Sequence, residues 1–217
     1  MAERNYTNSK KVYSGYADDN HLGFAHPLHQ RTRYAGLLRH VNITDKSLLD
    51  FGCGHGELYT TLIAMGEQPA SYHGVDLLDV NIDRAKQRLE QYHRVSLERA
   101  GIRFSNEADD EYDIVCCLSV LSVSEGEETV KLWRDTLESL WAKTKRTLVF
   151  DLLRVEKGFP HPGHVRLEAE TIADWASDMS ANHLIDNTLG DHFSLVVIHR
   201  EPTATRRFWN LKDGPAR

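Results

Sequence analysis

The residues best suited to chemistry lie in one short run, Leu49-Asp50-Phe51-Gly52-Cys53-Gly54-His55-Gly56. Glycines at alternate positions let a chain turn sharply from a strand into a helix, and they let a ligand approach bare backbone. The first turn of a helix behind such a loop offers amide donors that have no partner of their own. A second acid, Asp76, stands 20 residues beyond Gly56 at the end of a further strand-like run. An acid so placed can accept hydrogen bonds from two ribose hydroxyls. Together these residues describe a site for a nucleotide-containing ligand.

Such a site needs strands that end where the loop and the acid begin. Leu48 to Phe51 is a short buried-strand candidate, and Leu58, Leu62, Ile63 and Met65 behind it form a helical stripe closed by Gly66. Tyr72 to Asp76 reads as a second strand, followed by an amphipathic helix through Val80, Ile82, Ala85, Leu89 and Tyr92 that runs toward Gly101. Ile102-Arg103-Phe104 is the predicted third strand, and Tyr112 to Leu118, with its near-continuous apolar run, the fourth. Ser124 and Glu127 have the spacing of a capping box ahead of a helix carrying Val130, Trp133, Leu137, Leu140 and Trp141. Thr147 to Phe150 is a fifth strand, and Thr171 can cap a helix with Ile172, Trp175 and Met179. Leu184-Ile185 and Phe193 to Ile198 close the series around a Gly190-Asp191 turn. Upstream, Pro27 opens a helix expected to end at His40.

Alternating strands and helices predict an α/β fold, a three-layer doubly wound sheet that is mostly parallel and carries an antiparallel hairpin at its C-terminal edge. Ligands of such sheets bind at the carboxyl ends of the strands. The expected organisation is an N-terminal arm over residues 1–26 that closes over the site, one domain over 27–200, and a tail over 201–217.

Which nucleotide fits? The phosphate-loop signature Gly-Lys-Ser/Thr is absent. A nicotinamide site spaces its third glycine three positions after the second, whereas Gly54 and Gly56 are two apart. A pyrophosphate also has no use for the carboxylate of Asp50, but a ligand bearing a sulfonium and an ammonium does. The run from Leu49 to Gly56 resembles motif I of the class I S-adenosylmethionine-dependent methyltransferases, and Gly74-Val75-Asp76-Leu77 with Ile82-Asp83-Arg84-Ala85-Lys86 resembles their second motif. The resemblance covers about residues 28 to 155. It implies S-adenosyl-L-methionine as cofactor. It places Asp50, Gly52, Cys53, Gly54 and Gly56 at the cofactor's amino-acid end, Asp76 and Leu77 at the ribose, and a residue among Ser105, Asn106 and Glu107 beside the adenine, with Asn106 the choice. Leu118, at the end of the fourth strand with Ser119, would face the methyl group. Gln30, Arg33 and Tyr34 resemble a Gln-x-x-Arg-aromatic pattern in part of the family, where the arginine meets the cofactor carboxylate; a solvent-facing Arg33 is the alternative. The stretch between third and fourth strands is shorter here than is usual in the family.

Methyl transfer from a sulfonium is a direct displacement, in which the protein supplies alignment and electrostatics. A base is needed only if the acceptor must lose a proton, and Asp151 at the end of the fifth strand is the candidate. No Asp/Asn-Pro-Pro-aromatic or Pro-Cys follows the fourth strand, which argues against adenine, glutamine and cytosine as acceptors. Cys116 and Cys117 read as inert packing. Tyr13, Tyr16 and His26 of the arm, His161 and His164 around Pro162-Gly163, and His192 in the last hairpin are expected around the acceptor, the alternative being exposed polar loop residues. No close grouping of metal ligands sits on one helix, so no metal is expected.

A net charge of −6 weakens any case for a chain built to neutralise nucleic-acid phosphates. Three cysteines cannot build a disulfide framework, and no apolar run reaches membrane-spanning length, so a reduced, cytoplasmic enzyme with a small-molecule acceptor is the expectation. An RNA or protein acceptor remains open through Arg99, Arg103 and Arg206-Arg207-Phe208-Trp209, as does a cofactor-binding protein without transfer activity.

Overall fold

The structure, a computed structural model, describes residues 7–16, 27–101, 111–155, 163–190 and 193–202. Its helices are α1 (Thr7–Tyr16), α2 (Pro27–His40), α3 (Glu57–Ala64), α4 (Asp79–Leu89), α5 (Thr129–Ala142) and α6 (Ala169–Met179). Its strands are β1 (Ser47–Phe51), β2 (Ser71–Asp76), β3 (Val95–Arg99), β4 (Tyr112–Cys117), β5 (Thr144–Leu153), β6 (His183–Asp186) and β7 (Phe193–His199). They form one sheet in the order β3-β2-β1-β4-β5-β7-β6. The first five strands are mutually parallel, and β7 runs antiparallel to both β5 and β6. The order reverses between β1 and β4, so the carboxyl ends of those two strands flank the crevice where a ligand of this architecture sits.

Alternation along the strands separates two cores. Leu48, Ile114, Cys116 and Val149 face α2, α3 and α4, where they meet Leu37, Leu58, Leu62 and Ile82. Leu49, Val115, Cys117, Leu148 and Phe150 face α5 and α6, against Trp133, Leu137, Leu140 and Trp175. Parallel strands covered on both faces need apolar residues at nearly every position, which is why β4 is apolar without a break from Ile114 to Cys117. All three cysteines are buried free thiols. No helix among the described residues is long and apolar enough to cross a membrane.

Four expectations from the sequence need correction. The second crossover helix stops at Leu89 rather than running toward Gly101, and the third strand is Val95–Arg99 rather than 102–104, which lie outside the described residues. As an edge strand with no fully buried residue, β3 offers only Val95 and Leu97 as an apolar signature. The capping box at Ser124 and Glu127 does not form: Gly126 adopts φ 97 and α5 starts only at Thr129. Ser124 Oγ instead accepts the Gly126 amide, and Thr129 Oγ1 accepts that of Glu125. Thr171 lies inside α6, whose N-cap is Glu168.

Candidate functional site

The glycine loop joins β1 to α3. Gly52, Gly54 and Gly56 all have positive φ, at 83°, 54° and 79°. At Gly52 the requirement is double, because a Cβ there would also lie 2.3 Å from Val120 Cγ2. The loop is pinned to β2 by the Gly52 and Cys53 amides, which donate to the Val75 carbonyl at 2.7 and 3.0 Å. Glu57 opens α3 and turns back: its Oε2 accepts the His55 amide at 3.2 Å, while Oε1 lies 3.0 Å from Arg88.

Asp76 ends β2 and folds onto the loop. Its Oδ2 accepts the Gly54 amide at 3.0 Å, and its Oδ1 accepts from the Leu78 amide at 2.9 Å and Asn81 Nδ2 at 3.0 Å. Burial raises its pKa, and those hydrogen bonds oppose the rise. Asn81, buried on α4, is a member of this cluster that sequence reading missed; its one signal is a polar residue amid the apolar stripe of Ile82 and Ala85. Leu77 is half-buried beside the acid, with its Cδ1 3.2 Å from where a Cβ on Gly101 would stand.

Asp50 projects from β1 into the α2–α4 layer, 4% exposed, and accepts the Tyr72 hydroxyl at 2.6 Å. Burial pushes its carboxyl up to about 7; the Tyr72 hydrogen bond works against this, and the charges of Asp76 and Glu57 add to it. Tyr72 is a further residue the sequence did not single out. Cys53 is buried within the loop, its thiol 3.7 Å from the Gly54 carbonyl and pushed well up by burial.

At the carboxyl end of β4, Leu118 is buried and Ser119 has φ 61. Asp151 of β5 stands next to it. Its Oδ1 accepts the Ser119 amide and its Oδ2 pairs with Arg33 Nε, each at 2.5 Å. Arg33 is therefore not solvent-facing; it is 6% exposed, with its guanidinium 4.0 Å over the Phe193 ring. The tie between Asp151 and the two donors was not legible in the sequence, and it leaves no carboxylate oxygen of Asp151 without a hydrogen bond.

Helix α1 lies across the turn after β4. The Glu125 carboxylate accepts the amides of Asn8 and Ser9 at 2.9 and 2.6 Å, satisfying two donors of the first helical turn. At the other end, the Tyr13 hydroxyl contacts the Ser119 carbonyl at 3.1 Å and Ser122 Oγ at 3.0 Å. Burial pushes the Tyr13 phenol up to about 12, with the Ser122 hydrogen bond opposing. His164 bridges to Val123 on the same turn, where the Val165 amide also donates to the Ser122 carbonyl. The structure thus gathers Arg33, Leu118, Asp151, Tyr13 and His164 at one edge, next to the glycine loop and Asp76. Asn106, His26, His161, His192 and the side chain of Tyr16 lie outside the described residues. The premise for Asn106 has moved, because β3 ends at Arg99 and is followed directly by Ala100 and Gly101. Among the described residues no group of three or more metal-ligating side chains occurs.

A seven-stranded sheet of this order, with its one reversed strand and a glycine-rich crevice after β1, defines a Rossmann-like domain of the class I methyltransferase type. Residues 48–141 match the family model described as a methyltransferase domain. Over 99 residues the chain is 32% identical to the ubiquinone biosynthesis O-methyltransferase of Nitrosospira multiformis, a match covering 44% of this chain and 40% of that protein. The chain thus spans less than half the length of that curated relative. The fold is similar to N-methyltransferase NodS from Bradyrhizobium japonicum in complex with S-adenosyl-L-homocysteine (TM-score 0.68, 18% identity, 88% of this chain and 98% of that one). It is also similar to magnesium protoporphyrin IX methyltransferase from Synechocystis with bound S-adenosylhomocysteine (TM-score 0.64, 19% identity, 92% and 98%). Residues 48–141 thus match a methyltransferase domain, and the chain shares the fold of these two methyltransferases.

The residues present fit S-adenosylmethionine. The three left-handed glycines carry no side chain over the loop backbone, and Asp76 stands beside it, its carboxylate held by the Gly54 and Leu78 amides and by Asn81. The buried Asp50 carboxyl has Tyr72 as its donor and the acids Asp76 and Glu57 in its field, so a cationic ligand suits it.

Proposed function

We propose that this chain transfers the methyl group of S-adenosylmethionine to a small-molecule acceptor. The observation that carries this reading is the joining of Gly54 to Asp76 by a 3.0 Å hydrogen bond at the ligand edge of the sheet, in the same region as the buried carboxyl of Asp50. A bound cofactor supplies an electrophilic methyl carbon on a sulfonium. Asp76 accepts the ribose hydroxyls, and the first turn of α3, whose amides lack helical partners, holds the amino-acid end, which the glycine loop lets approach closely. Asp50 provides the negative field for the ammonium and sulfonium, and Arg33 the positive charge for the carboxylate. Leu77, with Ala100 and Gly101 after β3, flanks the adenine; a role for Asn106 would require the chain beyond Gly101 to return to this edge.

The acceptor side lies between the turn after β4 and α1. Tyr13, Leu118 and His164 line it, and the covering helix favours a compact acceptor over a long polymer. The net charge of −6 supports the same choice, since nucleic-acid binding rests on neutralising phosphates. The names of the relatives, a ubiquinone-pathway O-methyltransferase and a porphyrin methyltransferase, agree with a small acceptor. The reading keeps the N-terminal arm as a cover over the site and residues 27–200 as the methyltransferase domain.

The test is a thermal melt with S-adenosylmethionine, S-adenosylhomocysteine and NAD, followed by a screen of phenols, amines and carboxylates for acceptor-dependent S-adenosylhomocysteine release. Ligand at ~100 times its Kd stabilises by about 2.7 kcal/mol, or roughly 5–10 °C for a domain of this size. A shift with both sulfur ligands and none with NAD is expected. No shift at millimolar ligand with folded protein defeats the reading.

A further inference from the structure

Ser119 has φ 61, in the left-handed region that non-glycine residues seldom occupy. Serine has no intrinsic reason to be there, so its surroundings must hold it. On one side the Asp151 Oδ1 accepts the Ser119 amide at 2.5 Å. On the other, the Tyr13 hydroxyl donates toward the Ser119 carbonyl at 3.1 Å and stands within 3.0 Å of Ser122 Oγ. Asp151 is itself fixed by Arg33, which rests on Phe193. Both members of that ion pair are buried, with side chains 8% and 4% exposed. Segments more than 100 residues apart in sequence therefore converge on one strained residue. Glu125, six positions further on, holds the first turn of α1.

We propose that Asp151 is a positioning residue: it keeps Ser119 in the left-handed conformation that allows α1 to dock through Tyr13 and shape the acceptor side of the site. In this role the carboxylate acts by holding two donors at once. One oxygen is committed to Arg33 and the other to the Ser119 amide, and removing either bond would leave a buried donor without its partner. With its hydroxyl buried among carbonyl and hydroxyl oxygens, Tyr13 acts as the sensor of the turn. The assignment of this turn to the acceptor side rests on the methyl-transfer reading; the clamp itself rests only on the contacts.

Glycine adopts a positive φ without the penalty paid by serine, which permits a rescue experiment on the full chain. Amide hydrogen exchange is followed in residues 118–125 and in α1 for wild type, D151N, S119G, the D151N/S119G double variant and Y13F. Asparagine at 151 has one acceptor oxygen for two donors, so Ser119 and Arg33 compete for it. Exchange in D151N is expected to be at least tenfold faster in both segments, although Asp151 makes no hydrogen bond to α1. S119G in the D151N background should return α1 to within threefold of wild type, because the backbone conformation no longer depends on the carboxylate. Y13F should speed exchange in α1 at least tenfold while Ser119 keeps its amide bond. A general loss of packing around the Arg33 ion pair would not be repaired by a glycine at 119. Unchanged exchange in D151N, failure of the glycine to restore α1, or unchanged exchange in Y13F overturns the proposal. Should D151N not fold, the Y13F result decides alone. S-adenosylhomocysteine titration of the wild type runs in parallel: no binding defeats the methyltransferase reading, whereas the exchange data judge the clamp in either case.

Discussion

Asp50→Asn separates the stability of this domain from its ligand binding. The carboxyl is buried, and burial lifts it from an ordinary 3.8 to about 7. Its folded pKa is thus above its unfolded one, so folding favours the protonated form. The penalty is absent below pH 3.8, grows as pH rises toward 7, and is constant above that. A tenfold change in a protonation constant is about 1.4 kcal/mol. Roughly three such factors place the cost of the charged form on the order of 4 kcal/mol at pH 8. Asparagine removes the charge and keeps an oxygen for the Tyr72 hydroxyl, which now donates to Asp50 at 2.6 Å. The variant should therefore melt higher than wild type at pH 8, by roughly 8–16 °C, and the difference should shrink steadily to near zero by pH 4. Affinity for S-adenosylmethionine should fall at the same time. A charge-assisted hydrogen bond contributes ~1.5–3 kcal/mol, which corresponds to about 10–150-fold in Kd. Calorimetric melts from pH 4 to pH 9 and isothermal titration at pH 8 measure the two effects. A D50N protein that is no more stable than wild type at pH 8, or whose advantage does not vary with pH, would refute the claim that Asp50 carries an uncompensated buried charge.

Gly52→Ala must combine a φ of 83° with a Cβ 2.3 Å from Val120 Cγ2; S-adenosylhomocysteine titration should show affinity falling at least 100-fold, with a melting loss of only a few degrees, and intact binding would show the cradle to be unnecessary. Trp133 is 1% exposed in the α5–α6 core, so Trp133→Ala should cost ~3–5 kcal/mol in urea unfolding, leaving cofactor affinity in the folded fraction unchanged because the side chain faces away from the glycine-loop layer. Asp186 accepts from His40 at 2.7 Å and from Thr188 at 2.6 and 2.8 Å. Burial works to raise its pKa, but those hydrogen bonds prevail and hold it at about 2. The depressed value means stability present above pH 3.8 and lost as pH falls through about 2. Acid titration of D186N should therefore show lower stability than wild type above pH 4 and convergence near pH 2, and parallel curves would contradict the assignment.

What the sequence disclosed follows the range of the interactions involved. The glycine loop and Asp76 were legible because their constraints are local: a positive φ needs glycine, and a strand that ends at an acid can be read within a dozen residues. α2 is set by Pro27 and the spacing behind it, and it spans Pro27–His40 as expected. β3 was misplaced because an edge strand paired on one side can expose Ser96, Glu98 and Arg99, while the sequence of 102–104 is the more apolar of the two runs. The capping box failed for another reason: its spacing is necessary but not sufficient, and Gly126 turns the chain before a helix can begin. The carboxyl end of β4 was the least legible region. Asp151 was visible as an acid at a strand end, which suggests a base when its neighbours are unknown. Its partner Arg33 lies 118 residues away, and Ser119 lies 32 residues away. Nothing in a serine announces a left-handed backbone. A carboxylate that pairs with an arginine and an amide has a different environment from one that is alone, and only the fold brings those donors to it. Local pattern thus located the glycine loop and Asp76, and contacts between distant segments set the surroundings of Ser119 and Asp151.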